Sequence, residues 1–251
     1  MKTLILSLSL LMTVGAIAQE KSPILLVLTN NGKMGETDTK TGFYLSEAAH
    51  PYAVFTEANY PVVLASPKGG FAPVDPKSME LEDDEANQAF WEKYGSSQDD
   101  HKGVAETKSL ADLKPEDFSG VFYAGGHGTM WDLPTSEQVQ RITAAIHKQG
   151  GVVGAVCHGP AALVNVKLED GSHLIDGKKV AVFTDSEEEA VKLADTVPFL
   201  LETKFQDLGA TVVPGENFTE NAIRDGQLVT GQNPASAHKA AELFVEALEA
   251  E

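Results

Sequence analysis

The chain has a single cysteine, Cys157, in the stretch GGVVGAVCHGPAAL at 150–163. An apolar, β-branched run leads into it and Gly159-Pro160 leaves it with a helical pattern. The small residues Ala155 and Gly159 flank it two positions away on either side. A nucleophile on a tight strand-to-helix turn has strained backbone angles and needs small neighbours at those spacings, so that the two elements can approach. Such an elbow lifts the side chain above a sheet and sets it at a helix N-terminus, where dipole and free amides favour a thiolate. A buried, inert cysteine at the end of a core strand is the other reading, and the surroundings must choose.

A second stretch, YAGGHGTMWDLP at 123–134, ends a strand in Gly125-Gly126, whose amides can approach a ligand with no Cβ in the way. In a parallel sheet this strand end lies near the Cys157 elbow, and the Gly126 and His158 amides together form an oxyanion hole. His127 either lines that pocket or faces solvent from the loop. The thiol also needs a base or hydrogen-bonding partner. Glu47, among apolar residues of a first helix, is one candidate; burial would raise its pKa and let it exchange a proton near neutrality. His158 is the other, with a carboxylate of the run Asp185-Ser186-Glu187-Glu188-Glu189 to orient it.

The elements that must position these groups alternate. Strands are predicted at 24–29, 61–66, 120–124, 152–156, 180–184 and 210–213, and helices at 41–59, 136–149, 159–166, 187–193, 198–208 and 234–248. Continuous apolar strands separated by helices imply an α/β sandwich, a mostly parallel sheet with helices on both faces. Its ligand site lies at the carboxyl ends of the strands. The segment 67–118 is Gly/Pro-rich, then acidic, then polar. It reads as an irregular excursion carrying a short helix within a single domain spanning 19–251.

Composition narrows the function. Lys and Arg number 19 against 37 Asp and Glu, a formal charge of −18, with 42% hydrophobic residues. That argues against nucleic acid and anionic membrane partners, which need clustered cations, and the apolar fraction argues against a disordered acidic chain. One cysteine excludes a disulfide framework and a multi-cysteine metal site. His50 and His127 have no matched ligand spacing, so no metal is assigned. Without a dinucleotide fingerprint or phosphate loop, no cofactor is assigned either. Residues 1–18, MKTLILSLSLLMTVGAIA, have the basic start, apolar run and small-x-small ending of a secretory signal cleaved before Gln19. The expectation is an exported protein, periplasmic or secreted.

The motifs TGFYLSEAAHPYAVF, YAGGHGTMWDLP, AVCHGPA and VTGQNPASA, in order along the chain, resemble those of the ThiJ/PfpI superfamily, specifically its chaperone-like, glutathione-independent glyoxalase III branch. The resemblance spans about 24–248. It implies a flavodoxin-like three-layer sandwich and places the nucleophile on Cys157, its histidine on His158 and the helix glutamate on Glu47. The acidic partner falls on Glu188, with Asp185 and Glu187 as alternatives, and the oxyanion hole on Gly126 and the His158 amide. The implied reaction takes a small 2-oxoaldehyde, methylglyoxal, to lactate. Cys157 adds to the aldehyde, a base (Glu47 or His158) moves a proton through an enediol, and the thioester is hydrolysed. A homodimer is compatible with the resemblance. Relatives of this branch are regarded as cytosolic, so an export signal is a departure.

Other activities on the same site stay in view: a stress-related holdase, a protein deglycase and a cysteine peptidase-like hydrolase. Glutamine amidotransferases of the superfamily use a late His-x-Glu. Here the late pair, His238 and Glu242, is spaced too widely.

Overall fold

The structure, a computed structural model, describes residues 21–79 and 81–250. In chain order the elements are β1 (Ile24–Val27), α1 (Leu45–Glu57), β2 (Val62–Ser66), β3 (Gly70–Pro73), α2 (Glu85–Tyr94), β4 (Gly95–Gln98), β5 (His101–Ser109), β6 (Gly120–Tyr123) and α3 (Thr129–Asp132). They continue with α4 (Glu137–Lys148), β7 (Val152–Val156), β8 (Lys179–Val180), α5 (Asp185–Ala190), α6 (Leu201–Asp207), β9 (Thr211–Val212), β10 (Ala222–Asp225), β11 (Leu228–Gly231) and α7 (Ala237–Leu248).

A nine-stranded sheet runs in the order β10-β11-β7-β6-β1-β2-β5-β3, with β4 also paired to β5. The strands from β11 to β5 are parallel; β10, β3 and β4 join antiparallel at the margins. This is the expected flavodoxin-like α/β sandwich. Every residue of β1, β6, β7 and β11 is buried, as a parallel sheet covered on both faces requires.

Strand β6 shows how the layers are built. Side chains alternate across a sheet, so Phe122 and Tyr123 point to opposite faces. Phe122 meets Phe55 of α1 and Phe244 of α7, with ring centroids 5.5 and 5.7 Å away. Each such fully buried ring contributes about 2–3 kcal/mol of transfer free energy. On the other face the Tyr123 hydroxyl bonds Thr143 of α4 at 2.6 Å. Helix α4 buries Val139, Ile142, Thr143 and Ile146, one stripe at 3.6-residue period. Ser136 caps its start by accepting from the Val139 amide.

Several elements differ from the sequence expectation, each for a tertiary reason. The first helix begins at Leu45 rather than 41, because Gly42-Phe43 runs extended beside Val74 and the Phe43 amide donates to the Pro73 carbonyl at 2.9 Å. The expected helix at 159–166 is only a 3₁₀ turn over Gly159–Leu163. The stretches at 180–184 and 210–213 shrink to β8 and β9, a separate parallel pair. The strand beside β7 is β11 (LVTG), which the sequence expectation did not include. The segment 67–118 contains helix α2 and also β3, β4 and β5, which extend the main sheet.

Candidate active site

Strand β1 is the point at which chain order reverses: β2 lies on one side of it and β6 on the other. In open α/β sheets the crevice outside the strand ends at such a point receives ligands. The carboxyl ends of β6 and β7 carry the two glycine-bearing loops picked out in the sequence.

Cys157 follows β7 with φ of 61°, in the left-handed region. A side chain there costs about 1–3 kcal/mol of backbone strain and persists only when its surroundings hold it. They do: the Cys157 amide donates to the Gly231 carbonyl at 2.8 Å, and its carbonyl accepts from the Phe183 amide at 3.1 Å. Gly159 is needed because a Cβ would collide with the Tyr123 carbonyl of β6.

Cys157 Sγ lies 3.2 Å from His158 Nδ1, and His158 Nε2 lies 2.7 Å from Glu188 Oε2. The second oxygen of Glu188 is 3.0 Å from His127 Nε2. One carboxylate therefore serves two imidazoles. The His158 ring lies against both His127 and Phe183, tilted by 40° and 35° with centroids 4.1 and 4.2 Å away.

The charges of this group follow from burial and partners. Burial and the neighbouring His127 push His158 down to about 4, against the pull of Glu188, so the imidazole is neutral near pH 7. Burial opposes ionisation of Glu188 as well, but hydrogen bonds from both histidines outweigh it and hold the carboxyl at about 2. An ionised carboxylate only accepts hydrogen bonds. His158 therefore carries its proton on Nε2 and offers Nδ1 as acceptor to the Cys157 thiol. Burial, then the Glu47 carboxyl, push the Cys157 thiol well up. The elbow was expected to favour a thiolate; a sulphur only 3% exposed, followed by a 3₁₀ turn in place of an α-helix, favours the thiol instead.

Glu47 sits in the first turn of α1, fully buried. Its Oε2 accepts the Gly125 amide at 2.9 Å, while the Tyr44 amide donates to the Gly125 carbonyl at 2.9 Å, tying the helix start to the β6 loop. Burial raises its pKa well above the carboxylate range, outweighing its interactions with Cys157 and the Gly125 amide. A neutral carboxyl beside the sulphur results.

Gly126 has φ of 99°, which non-glycine residues rarely adopt, and its amide faces the Cys157 sulphur. Thr129 Oγ1 donates to the carbonyls of Gly126 (2.8 Å) and His158 (3.0 Å), stapling the two loops together. In front lies a cavity of about 210 Å³. Gly126, His127, Cys157 and His158 form its reactive wall, and Phe183 and Phe218 belong to its apolar side.

The structure thus brings Cys157, His158, Glu188, Glu47, Gly126 and His127 to one place. Of the three acidic alternatives, Glu188 meets the histidine. Glu187 instead completes a capping box with Thr184 and holds the Phe218 amide and Asn233, while Asp185 binds Thr203. His50 and His127 are apart: His50 pairs with Asp84 at 2.9 Å. His238 and Glu242 pair with each other on the exposed surface of α7. Sequence reasoning missed Thr129, Phe183 and Phe218, and it did not see that His127 shares Glu188. The only signal for Thr129 was its place just after GGHG. Among the described residues, His127, His158 and Glu188 are the side chains of metal-ligating type that converge, with ligating atoms within 4.8 Å of one another.

Comparison with known proteins matches residues 39–247 to the DJ-1/PfpI family. The chain belongs to the DJ-1/PfpI family. Glyoxalase 3 of Candida albicans is 35% identical to this family member over 244 residues, covering 90% of this chain and 98% of the relative. The glutathione-independent glyoxalase HSP31 of Saccharomyces cerevisiae is 33% identical over 232 residues, covering 90% and 97%. The solved structure of the 24 kDa rapid encystment protein of Francisella tularensis aligns with a TM-score of 0.83 at 34% identity, covering 90% of this chain and 99% of that one.

One expectation is corrected here. The yeast glyoxalases matched by this chain are cytosolic enzymes, which overturns the expectation of an exported protein. Residues 1–18, read as a cleaved signal, lie outside the described residues, and the comparisons lend that reading no support. Among the described residues no helix is long and apolar enough to cross a membrane.

Proposed function

We propose that this protein is a glutathione-independent glyoxalase of the glyoxalase III type, a lyase that converts methylglyoxal to lactate through Cys157. The observation that carries the reading is the Cys157–His158–Glu188 chain, 3.2 and 2.7 Å long, with the neutral Glu47 beside the sulphur and a small cavity in front. The relatives with curated names, glyoxalases over nearly their whole length, support it.

His158 Nδ1 takes the thiol proton as the sulphur attacks the aldehyde carbon, and Glu188 stabilises the imidazolium that forms. The Gly126 and His158 amides receive the developing oxyanion. His158 then returns the proton to that oxygen, giving the hemithioacetal. Glu47 supplies its proton to the neighbouring carbonyl oxygen as the enediol forms, and takes one back as the thioester carbonyl forms. Its raised pKa fits this donor role. Water finally releases lactate and the thiol. In this scheme residues 19–251 act as one catalytic domain.

The test follows methylglyoxal loss and lactate formation in buffer without glutathione, for wild type, Cys157→Ala and Glu47→Gln. Lactate is expected from wild type and from neither variant. A folded, reduced wild type that makes no lactate removes the reading.

A further inference from the structure

The scheme above leaves one proton without a carrier. Isomerising the hemithioacetal requires removal of the hydrogen on the carbon bonded to sulphur, followed by its delivery to the adjacent carbon. Glu47 is neutral and holds its proton for an oxygen. His158 Nδ1, 3.2 Å from the sulphur in the resting site, has by then delivered its proton to the C1 oxygen and lies against that hydroxyl.

His127 has the free nitrogen. Its Nε2 lies 3.0 Å from Glu188 Oε1, and a carboxylate only accepts, so Nε2 carries a proton there, and a ring holding one proton leaves Nδ1 as a bare acceptor. No described residue hydrogen-bonds Nδ1. The ring lines the cavity, 16% exposed, against the His158 ring. Glu188 sets the tautomer of two bases at once, one for the thiol and one for the substrate.

We propose that His127 Nδ1 is the base that moves the carbon-bound proton of the hemithioacetal, an assignment that rests on the glyoxalase reading of the site. Nδ1 takes the proton from C1, the C1–H pair becomes the C1=C2 bond, and the C2 carbonyl oxygen gains the proton of Glu47. The Nδ1–H then protonates C2 as the C1 hydroxyl proton passes to the Glu47 carboxylate and the thioester carbonyl forms. Atoms and charge balance, the C–S bond stays intact, and no further reactant enters before hydrolysis. The titratable groups around His127 are Glu188, His158 and Cys157, with Tyr44, Asp75 and Lys77 also on the cavity wall.

The experiment compares wild type with His127→Gln, which keeps a donor toward Glu188 but has no base, and with His127→Ala plus added imidazole. The expected result for His127→Gln is a kcat lower by about 100-fold or more with KM changed little. His127→Ala should recover turnover with imidazole, following the fraction of neutral imidazole as pH varies, which a merely structural role would not produce. ¹⁵N NMR of the resting protein should show His127 Nδ1 unprotonated near neutral pH, a readout independent of turnover. A His127→Gln variant with wild-type kcat, an absence of imidazole rescue, or a protonated Nδ1 overturns the proposal while leaving the glyoxalase reading in place. A wild type that makes no lactate removes both.

Discussion

Two histidine pairs in this protein have nearly the same chemical composition and very different surroundings. At the elbow, His158 and His127 share Glu188. On the surface formed by α1, α2 and α7, His50 binds Asp84 at 2.9 Å, His238 binds Glu242 at 3.4 Å, and the two rings meet edge-on at 6.4 Å. His158 is 1% exposed, whereas His238 is 56% exposed. Water screens the surface pairs, and such pairs contribute about 0–1 kcal/mol. At the elbow burial removes that screening, drives one imidazole neutral and holds one carboxyl ionised. Imidazole and carboxylate acquire chemistry from desolvation and shared partners rather than from proximity alone.

The comparison is broken most completely at the sulphur. Cys157→Ala should abolish lactate formation while the folded chain remains, as measured by turnover and circular dichroism together. Glu188→Gln comes next. A carboxylate offers two acceptor oxygens, but glutamine offers one acceptor and one donor, so one of the two imidazoles must reverse its tautomer. A fall in kcat of about 10²–10⁴ is expected, while ¹⁵N NMR shows which ring has flipped.

The pH dependence of stability sharpens the contrast. The folded pKa of His158 is depressed to about 4 from its ordinary 6.5. The unfolded chain therefore binds more protons between those values, and stability is lost as pH falls from about 6.5 to 4. The folded pKa of Glu188 is depressed to about 2 from 4.5, so its contribution is present above about 4.5 and lost as pH falls towards 2. Urea unfolding across pH should show both losses, and Glu188→Gln should remove the lower one.

A smaller effect is expected at the staple. Thr129→Val leaves two buried carbonyls without that donor and should cost about 1–3 kcal/mol, with a matching loss of turnover as the two loops lose register. Smallest of all, His50→Gln should change stability by no more than about 0.5 kcal/mol and leave kcat unaltered. A large effect there would show that the surface pair is not the passive member of the comparison.

Much of the site was legible before folding because its requirements are local. An elbow cysteine needs a buried strand before it and small residues on either side, and residues 152–159 state that in eight consecutive positions. The Gly125-Gly126 step declares a close backbone approach for the same reason. The parallel α/β class follows from apolar runs separated by helical stretches. Less legible were β11, β3, β4 and β5, whose pairing depends on partners far along the chain. The signal reading of 1–18 rested on its basic start, apolar run and small-x-small ending, and the comparisons overturned the export it implied.

What the sequence by itself determined is therefore the elbow cysteine and its turn, the glycine loop and the alternation of strand and helix, since each is written in contiguous residues and short-range sterics. Only the tertiary structure decided that Glu188 rather than Asp185 or Glu187 meets the histidine, that burial pushes the Cys157 thiol up, and that His127 belongs to the same carboxylate. Those outcomes depend on burial and on which oxygen faces which nitrogen, and the sheet sets both by joining the ends of β6 and β7 to a helix carboxylate 30 residues beyond His158.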